Sequence, residues 1–238
     1  MQNLPLSFYL NIPEYLKSSR LRSRARQLTE TCGSSTEPLD VLTAVKNERK
    51  FSLMQKKTEI LRFLDLIKRL KPRTVCDIGS SGGGTLRLFS HFAADDAKIL
   101  SLDIANYPRR RFAYPKLARD GQQLTVYQGS SYAPQTLEFV KTWLGGEPID
   151  LLFIDGDHNY DGVKQDFDLY SPLVRKGGII AFHDVVEDYK TRFGKETPAW
   201  VGDVPRLWRE LKPRFPKAYE LIQDPEQDGF GIGVIEVL

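Results

Sequence analysis

Two short clusters of acids and imidazoles carry most of the chemistry legible in this chain. Asp155-Gly-Asp157-His158 follows the apolar run Leu151–Ile154, and His183-Asp184 follows Ile179–Phe182. Carboxylates and imidazoles together can hold a divalent cation, and an imidazole can take a proton from a hydroxyl near neutral pH. Either use requires that the two clusters meet in space. Between the runs, Tyr160, Val163, Phe167, Tyr170 and Val174 recur at helical spacing. Strand, helix, strand is the unit of a parallel sheet, and it brings both strand ends to the edge where open α/β sheets bind ligands. Asp155, Asp157, His158, His183 and Asp184 are therefore expected to converge. Asp157 reads as a cap of the following helix rather than as a further ligand. His158 is one of three histidines in the chain.

The elements that must position these residues begin near Lys56. Ile60, Phe63, Leu64, Ile67 and Leu70 make an amphipathic helix that stops at Lys71-Pro72. Strand Thr74–Ile78, loop Gly79–Gly84, a helix to about Ala93, strand Ile99–Leu102, strand Thr125–Tyr127 and helix Gln135–Leu144 follow. This alternation predicts an α/β fold, a doubly wound, Rossmann-like, mostly parallel sheet. Ala218–Ile222, the turn DPEQDG and Gly231–Val237 read as a closing antiparallel hairpin. Val185 to Pro205 has little regular pattern, and a long irregular segment beside a site reads as a lid. Within and after it, Trp200 and Trp208 either line an acceptor pocket or pack the segment down.

The loop after the first strand reads Asp77-Ile-Gly79-Ser-Ser81-Gly82-Gly83-Gly84-Thr85. Glycines there permit a tight turn and close approach of a ligand to the backbone. The dinucleotide fingerprint G-x-G-x-x-G fails at Ser81, and the phosphate loop ending in G-K-S/T is absent. Asp77 ahead of the glycines disfavours a pyrophosphate and suits a cationic ligand end. The second strand ends in Asp103, placed to hydrogen-bond both hydroxyls of a ribose.

These residues resemble the class I S-adenosylmethionine-dependent methyltransferases. The first motif of that family, D/E-x-G-x-x-x-G, corresponds to Asp77, Gly79 and Gly83, and its second, an acid ending strand two, to Asp103. The resemblance covers about Lys56 to the C-terminus. It implies a seven-stranded sheet with a reversed hairpin, S-adenosylmethionine as cofactor, and Gly129-Ser130-Ser131-Tyr132 beside the adenine. Ser81, within the loop, and Asp155, at the end of strand four, complete the expected cofactor set. Within the family, DGDHNYDGVKQD followed by GGIIAFHDV is most similar to the small-molecule O-methyltransferases grouped with cephalosporin-hydroxylase-like and macrolide-sugar methyltransferases. That likeness implies Asp155, His183 and Asp184 as ligands of a divalent cation and His158 as general base. Relatives with a magnesium site usually carry Glu-Asp or Asp-Asn where this chain has His183-Asp184. Magnesium prefers oxygen, whereas imidazole suits Mn²⁺, Fe²⁺, Ni²⁺ or Zn²⁺. Either His183 turns away from a Mg or Mn ion, or the metal differs, or none binds.

At 238 residues the chain can bury a real core, and its 41% hydrophobic and 27% charged residues are ordinary for a soluble domain. Residues 51–238 form the expected methyltransferase domain. Residues 1–50 read as an N-terminal helical appendage, a lid or an oligomer contact. There Lys17, Arg20, Arg22, Arg24 and Arg26 form a basic run, a solvated helix face or a contact with a phosphorylated substrate or acidic partner, followed by the loop TCGSSTEP. Tyr107-Pro-Arg-Arg-Arg111-Phe112 reads as an exposed loop or as a phosphate contact beside a nucleoside site. A net charge of +3 is too weak to imply nucleic acid. Cys32 in a polar linker and Cys76 in a buried strand make a disulfide unlikely in any pairing and fit a cytoplasmic protein. The N-terminus has no signal-peptide pattern and no run is long enough to span a bilayer. The expected function is O-methylation of a hydroxylated small molecule, a sugar or natural-product scaffold. The alternative is a catalytically silent cofactor-binding or interaction protein of the same fold.

Overall fold

The computed structural model describes residues 13–105 and 108–238. Tyr107, named above, lies outside the described residues. The N-terminal part carries helices α1 (Ser19–Cys32), α2 (Pro38–Asn47) and α3 (Lys57–Leu70). Alternation then begins with β1 (Thr74–Ile78), α4 (Gly84–Phe92), β2 (Lys98–Asp103), the short α5 (Arg110–Ala113) and β3 (Gln123–Gln128). It continues with α6 (Pro134–Leu144), β4 (Ile149–Ile154), α7 (Tyr160–Tyr170) and β5 (Val174–His183). Helices α8 (Tyr189–Phe193) and α9 (Val204–Leu211) precede β6 (Ala218–Leu221) and β7 (Ile232–Glu236).

The strands form one seven-stranded sheet in the order β3-β2-β1-β4-β5-β7-β6. Pairs from β3 to β5 are parallel, and β7 pairs antiparallel with both β5 and β6. The expected doubly wound sheet with a reversed C-terminal hairpin is what the chain forms. It winds outward through β1, β2 and β3, then returns to place β4 on the other side of β1. The crevice between β1 and β4 is the switch point where such sheets bind ligands.

Every residue of β1 and of β4 is buried, because helices cover both faces. The side-chain period of two then sorts the core. Val75, Leu151 and Phe153 pack with Leu28, Val41, Phe63 and Phe89 of helices α1 to α4. Cys76, Leu152 and Ile154 pack with Val140, Val163, Tyr170 and Trp208 of α6, α7 and α9. At the opposite edge, Asp150 Oδ2 accepts from the backbone N–H groups of Arg73 at 2.6 Å and Thr74 at 2.8 Å, and Asp150 also pairs with Arg175. One carboxylate thereby aligns the starts of β1, β4 and β5.

Two local readings are corrected, and for Trp208 packing, rather than pocket lining, is the outcome. Cys32 lies in the last turn of α1 rather than in a linker, and it is buried beside Ala25 and Leu28. It and Cys76 are both free thiols. Strand β5 begins at Val174, well before the apolar run, because Gly177 N–H bonds to Val237 O at 2.6 Å and draws the polar Arg175–Gly178 segment into the sheet. Trp208 is core: its ring packs where a Cβ on Gly233 would stand, 2.8 Å away, and its Nε1 donates to Glu220 at 2.7 Å.

The N-terminal half is tied to the C-terminal hairpin by a buried acid. Glu59, in the first turn of α3, accepts from Gln227 Nε2 at 2.6 Å and from Gly231 N–H at 3.1 Å. Removing the carboxylate strands two buried donors, at about 1–3 kcal/mol. Glu59→Ala is expected to lower the unfolding free energy by that amount, read as a lower urea midpoint, and Glu59→Gln to recover part of it. Unchanged midpoints in Glu59→Ala would show that the tie contributes nothing.

Candidate active site

The carboxyl ends of β1, β2 and β4, with the loops that follow them and β3, enclose a cleft of about 330 Å³. Its lining includes Gly79, Ser81, Asp103, Ser130, Ser131, Tyr132, Asp155, Asp157 and His158. The cleft therefore gathers most of the residues singled out by sequence. Asp77, Gly83, His183 and Asp184 stand behind this lining or beside it rather than in it.

The floor depends on a close approach of two backbones. Gly79 has φ +91°, and a Cβ there would lie 2.0 Å from Asp155 O. Gly79 N–H bonds to Leu102 O and Asp155 N–H to Ile78 O, both at 2.8 Å, so three strand ends are joined across the crevice. Ser81, with φ +39°, turns its N–H to Asp103 Oδ2 at 2.8 Å. Asp103 Oδ1 accepts from Ala105 N–H, also at 2.8 Å. Each carboxylate oxygen keeps a second lone pair for a ligand hydroxyl. Asp77 is wholly buried below the loop, near the Thr85 hydroxyl at 3.4 Å. Burial pushes its pKa up to about 8, with the charges of Asp155 and Asp103 adding to the rise.

The β4 and β5 ends build a compact polar cluster. His183 Nδ1 is 3.2 Å from both Asp155 Oδ1 and Asp184 Oδ2. Burial alone would pull this imidazole down, but Asp155 and Asp184 outweigh it and push it up to about 10. Its Nε2 is buried without a partner among the described residues. Asp184 adopts φ +62°, a left-handed conformation that aspartate tolerates, and this turns its carboxylate back over His183 toward His158. His158 Nδ1 lies 3.7 Å from Asp184 Oδ2.

His158 is held from above by the Val185–Pro205 segment. Its ring stacks on Trp200 with centroids 4.7 Å apart and planes at 3°, and its Nδ1 meets Trp200 O at 3.0 Å. Asp203 N–H bonds to His158 O at 2.7 Å, and Gly202 packs so closely on His158 that a Cβ would sit 2.2 Å from that oxygen. The expected helix cap by Asp157 is instead a turn ahead of the helix, since Asp157 Oδ1 accepts from Asn159 N–H and Asn159 Nδ2, both at 2.9 Å.

Two contributors were not visible by spacing, and for a third, Trp200, the sequence left pocket lining and packing both open. Gln55, 3% exposed, donates from Nε2 to Asp155 Oδ2 at 3.0 Å and leaves its Oε1 buried without a partner among the described residues. Ile104, 71% exposed, lines the cleft beside Asp103. Trp200 supplies the roof. For a divalent cation, ligand atoms of Asp155, His158 and Asp184 all lie within 4.8 Å of one another. His183, the third ligand expected by resemblance, serves in this arrangement as the partner of both acids, and His158 takes its place in the donor set.

Residues 76–185 match a family model described as a methyltransferase domain. Demethylmacrocin O-methyltransferase of Streptomyces fradiae is 29% identical over 126 residues, 53% of this chain and 29% of that protein. The chain spans less than a third of the length of the curated relatives it matches. An O-methyltransferase from Bacillus cereus, solved with SAH, matches with TM-score 0.59 at 18% identity, covering 92% of this chain and 99% of that one. The mycinamycin-pathway methyltransferase, solved with Mg, SAH and mycinamycin VI, matches with TM-score 0.56 at 20% identity, covering 87% of this chain and 55% of that one. Residues 76–185 are thus similar to a methyltransferase domain, and the chain shares the fold of the solved neighbours. Among the described residues no helix is long and apolar enough to cross a membrane.

One buried acid behind the cleft generates a pH test. Asp166 on α7 is fully buried, and the Ser131 hydroxyl offsets only part of the cost of that burial. Burial raises its pKa from 3.8 to about 7, and the charge of Asp157 adds to the rise. Between those values the folded chain keeps a proton that the unfolded chain has lost, so stability falls as pH rises through that window. Asp166→Asn, neutral at every pH, is expected to be more stable than the parent at about pH 8 and to lose that advantage at about pH 4. Urea midpoints at the two pH values check this. A difference of equal size at both would contradict it.

Proposed function

We propose that this class I S-adenosylmethionine-dependent methyltransferase transfers its methyl group to a hydroxyl of a small molecule, a sugar or natural-product scaffold, with His158 as general base. The observation that carries the reading is the tautomer imposed on His158. Its Nδ1–H donates to Trp200 O, which leaves Nε2 as the lone-pair nitrogen on a residue that lines the cleft. In transfer, an acceptor oxygen attacks the methyl carbon in line, the carbon–sulfur bond breaks with its electrons going to sulfur, and the hydroxyl proton passes to Nε2. Asp184, 3.7 Å from Nδ1, stabilises the imidazolium so formed.

The cleft supports a cofactor laid across the switch point. Asp103 would hold the ribose hydroxyls of a bound cofactor, Ile104 would offer its adenine an apolar plate, and Ser130 to Tyr132 would border it. At the other end, Gly79 and Asp155 would hold the amino-acid part, and Gln55 Oε1, without a partner among the described residues, could accept from its ammonium. The curated relative and the solved neighbours named above are O-methyltransferases or a mycinamycin-pathway methyltransferase, which favours a hydroxylated acceptor over a silent binding protein.

Asp155, Asp184 and an imidazole also fit a divalent cation, a mixed oxygen and nitrogen set that suits Mn²⁺, Fe²⁺ or Zn²⁺ better than Mg²⁺. A cation bound there would lower the pKa of an acceptor oxygen and fix its position. His158 cannot give its Nδ1 to a cation and to Trp200 O at once, so the base role and the ligand role compete.

A screen of hydroxylated sugars and phenols for methyl transfer supplies the acceptor for the test. Loss of a positioned base costs about 10²–10⁴-fold in rate. His158→Ala is expected to lose kcat on that scale with affinity for S-adenosylhomocysteine retained, and exhaustive chelation to lower wild-type turnover. A variant within about threefold of wild-type kcat would remove the base role. Full turnover in metal-free enzyme would remove the cation.

A further inference from the structure

A second cleft lies between α1 and the loop that leads into α5, with a volume of about 910 Å³. Among the described residues six cationic side chains line it, Lys17, Arg20, Arg24, Lys50, Arg109 and Arg110, against the single acid Glu14. Glu14 is already engaged, with Lys17 Nζ at 3.0 Å and Arg109 Nε at 3.4 Å. Arg24 pairs with Glu48 at 3.1 Å. The side chains of Arg20 and Lys50 have no hydrogen-bond or ion-pair partner among the described residues. The whole chain carries a net charge of only +3, so this is a local concentration and not general basicity. Like charges gathered around a concavity repel one another, and an anion placed among them relieves that repulsion.

The cleft is wired to the methyl-donor site. Arg110 Nη1 donates to Ser81 O at 2.6 Å, and Ser81 N–H donates to Asp103 Oδ2 at 2.8 Å. A ligand that draws on the Arg110 guanidinium acts on the turn that presents the ribose-facing acid.

We propose that this cleft is a binding site for a phosphate-bearing small molecule, coupled to the cofactor cleft through Arg110, Ser81 and Asp103. Guanidinium forks match phosphate oxygens two at a time, and several cations spread around one concavity suit a di- or triphosphate better than a single carboxylate. The volume is in the range of sites for ligands of nucleotide size. A nucleic acid is disfavoured because the cations surround a pocket and do not form a stripe along a face. The site stands apart from the chemistry proposed above, since occupancy requires neither base nor acceptor.

Inorganic tripolyphosphate titrated calorimetrically into the full chain is the test. Saturable one-to-one binding is expected, weaker at about 200 mM salt than at about 50 mM. The double variant Arg20→Glu/Lys50→Glu changes two exposed residues that contact nothing in the cofactor cleft, and it is expected to bind at least tenfold more weakly. Saturating tripolyphosphate should shift the affinity for S-adenosylhomocysteine severalfold in the wild type and not in the variant. Absence of saturable binding, or equal affinity in the variant, overturns the site. So does binding of a single-stranded oligonucleotide that tripolyphosphate fails to displace. An unmoved S-adenosylhomocysteine affinity overturns the coupling. If S-adenosylhomocysteine does not bind at all, the methyl-transfer reading falls, while the tripolyphosphate result still judges this cleft.

Discussion

The backbone contact between Gly79 and Asp155 is the constraint on which the rest of the site depends. The ends of β1 and β4 can converge on one crevice only because residue 79 has no Cβ; a methyl group there would overlap the Asp155 carbonyl. From that contact the Asp155 side chain emerges at a fixed height, with Gln55 on one oxygen and His183 on the other. Asp155 and Asp184 then stand close together beside the cleft. Two carboxylates so placed repel unless a positive charge lies between them. His183, whose pKa the two acids push up, supplies it from the protein itself, inside the sheet edge.

A second constraint acts from outside. The Val185–Pro205 segment does not cross the site as a loose cover. Gly202 and Asp203 clamp the His158 backbone, while Trp200 stacks on its ring and sets its tautomer through a carbonyl. The sheet thus fixes where His158 stands, and the segment fixes which nitrogen it offers. That division suits an enzyme in which the roof can open for exchange of ligands while the acids stay in place.

The sheet was legible because its strands are apolar runs cut off by glycine and acid, and because helices recur between them. The ends of β1, β2 and β4 could be placed within a residue or two, since there the chain turns from aliphatic to Asp-Gly or Asp-Ile in one step. What escaped depends on torsions and on distance along the chain. The positive φ of Asp184 decides that its carboxylate turns back over His183, and no spacing rule encodes it. Gln55 sits 100 positions before the acid it contacts, in an irregular segment whose only signal is its place ahead of a helix. The polar start of β5 is held by backbone bonds to the last strand, so hydrophobic pattern understated its length. The basic run on α1 looked like a solvated face, and only the fold shows that it opposes Arg109 and Arg110.

The central claim is that the crevice between β1 and β4, with Asp103 on its rim, is the seat of the methyl donor. Calorimetric titration of S-adenosylhomocysteine into the wild type and Asp103→Ala tests it most directly. A carboxylate accepting ligand hydroxyls makes charge-assisted bonds worth about 1.5–3 kcal/mol each. The account predicts saturable binding to the wild type and a loss of at least about tenfold in the variant. No binding to the wild type, or the same affinity in Asp103→Ala, would contradict it.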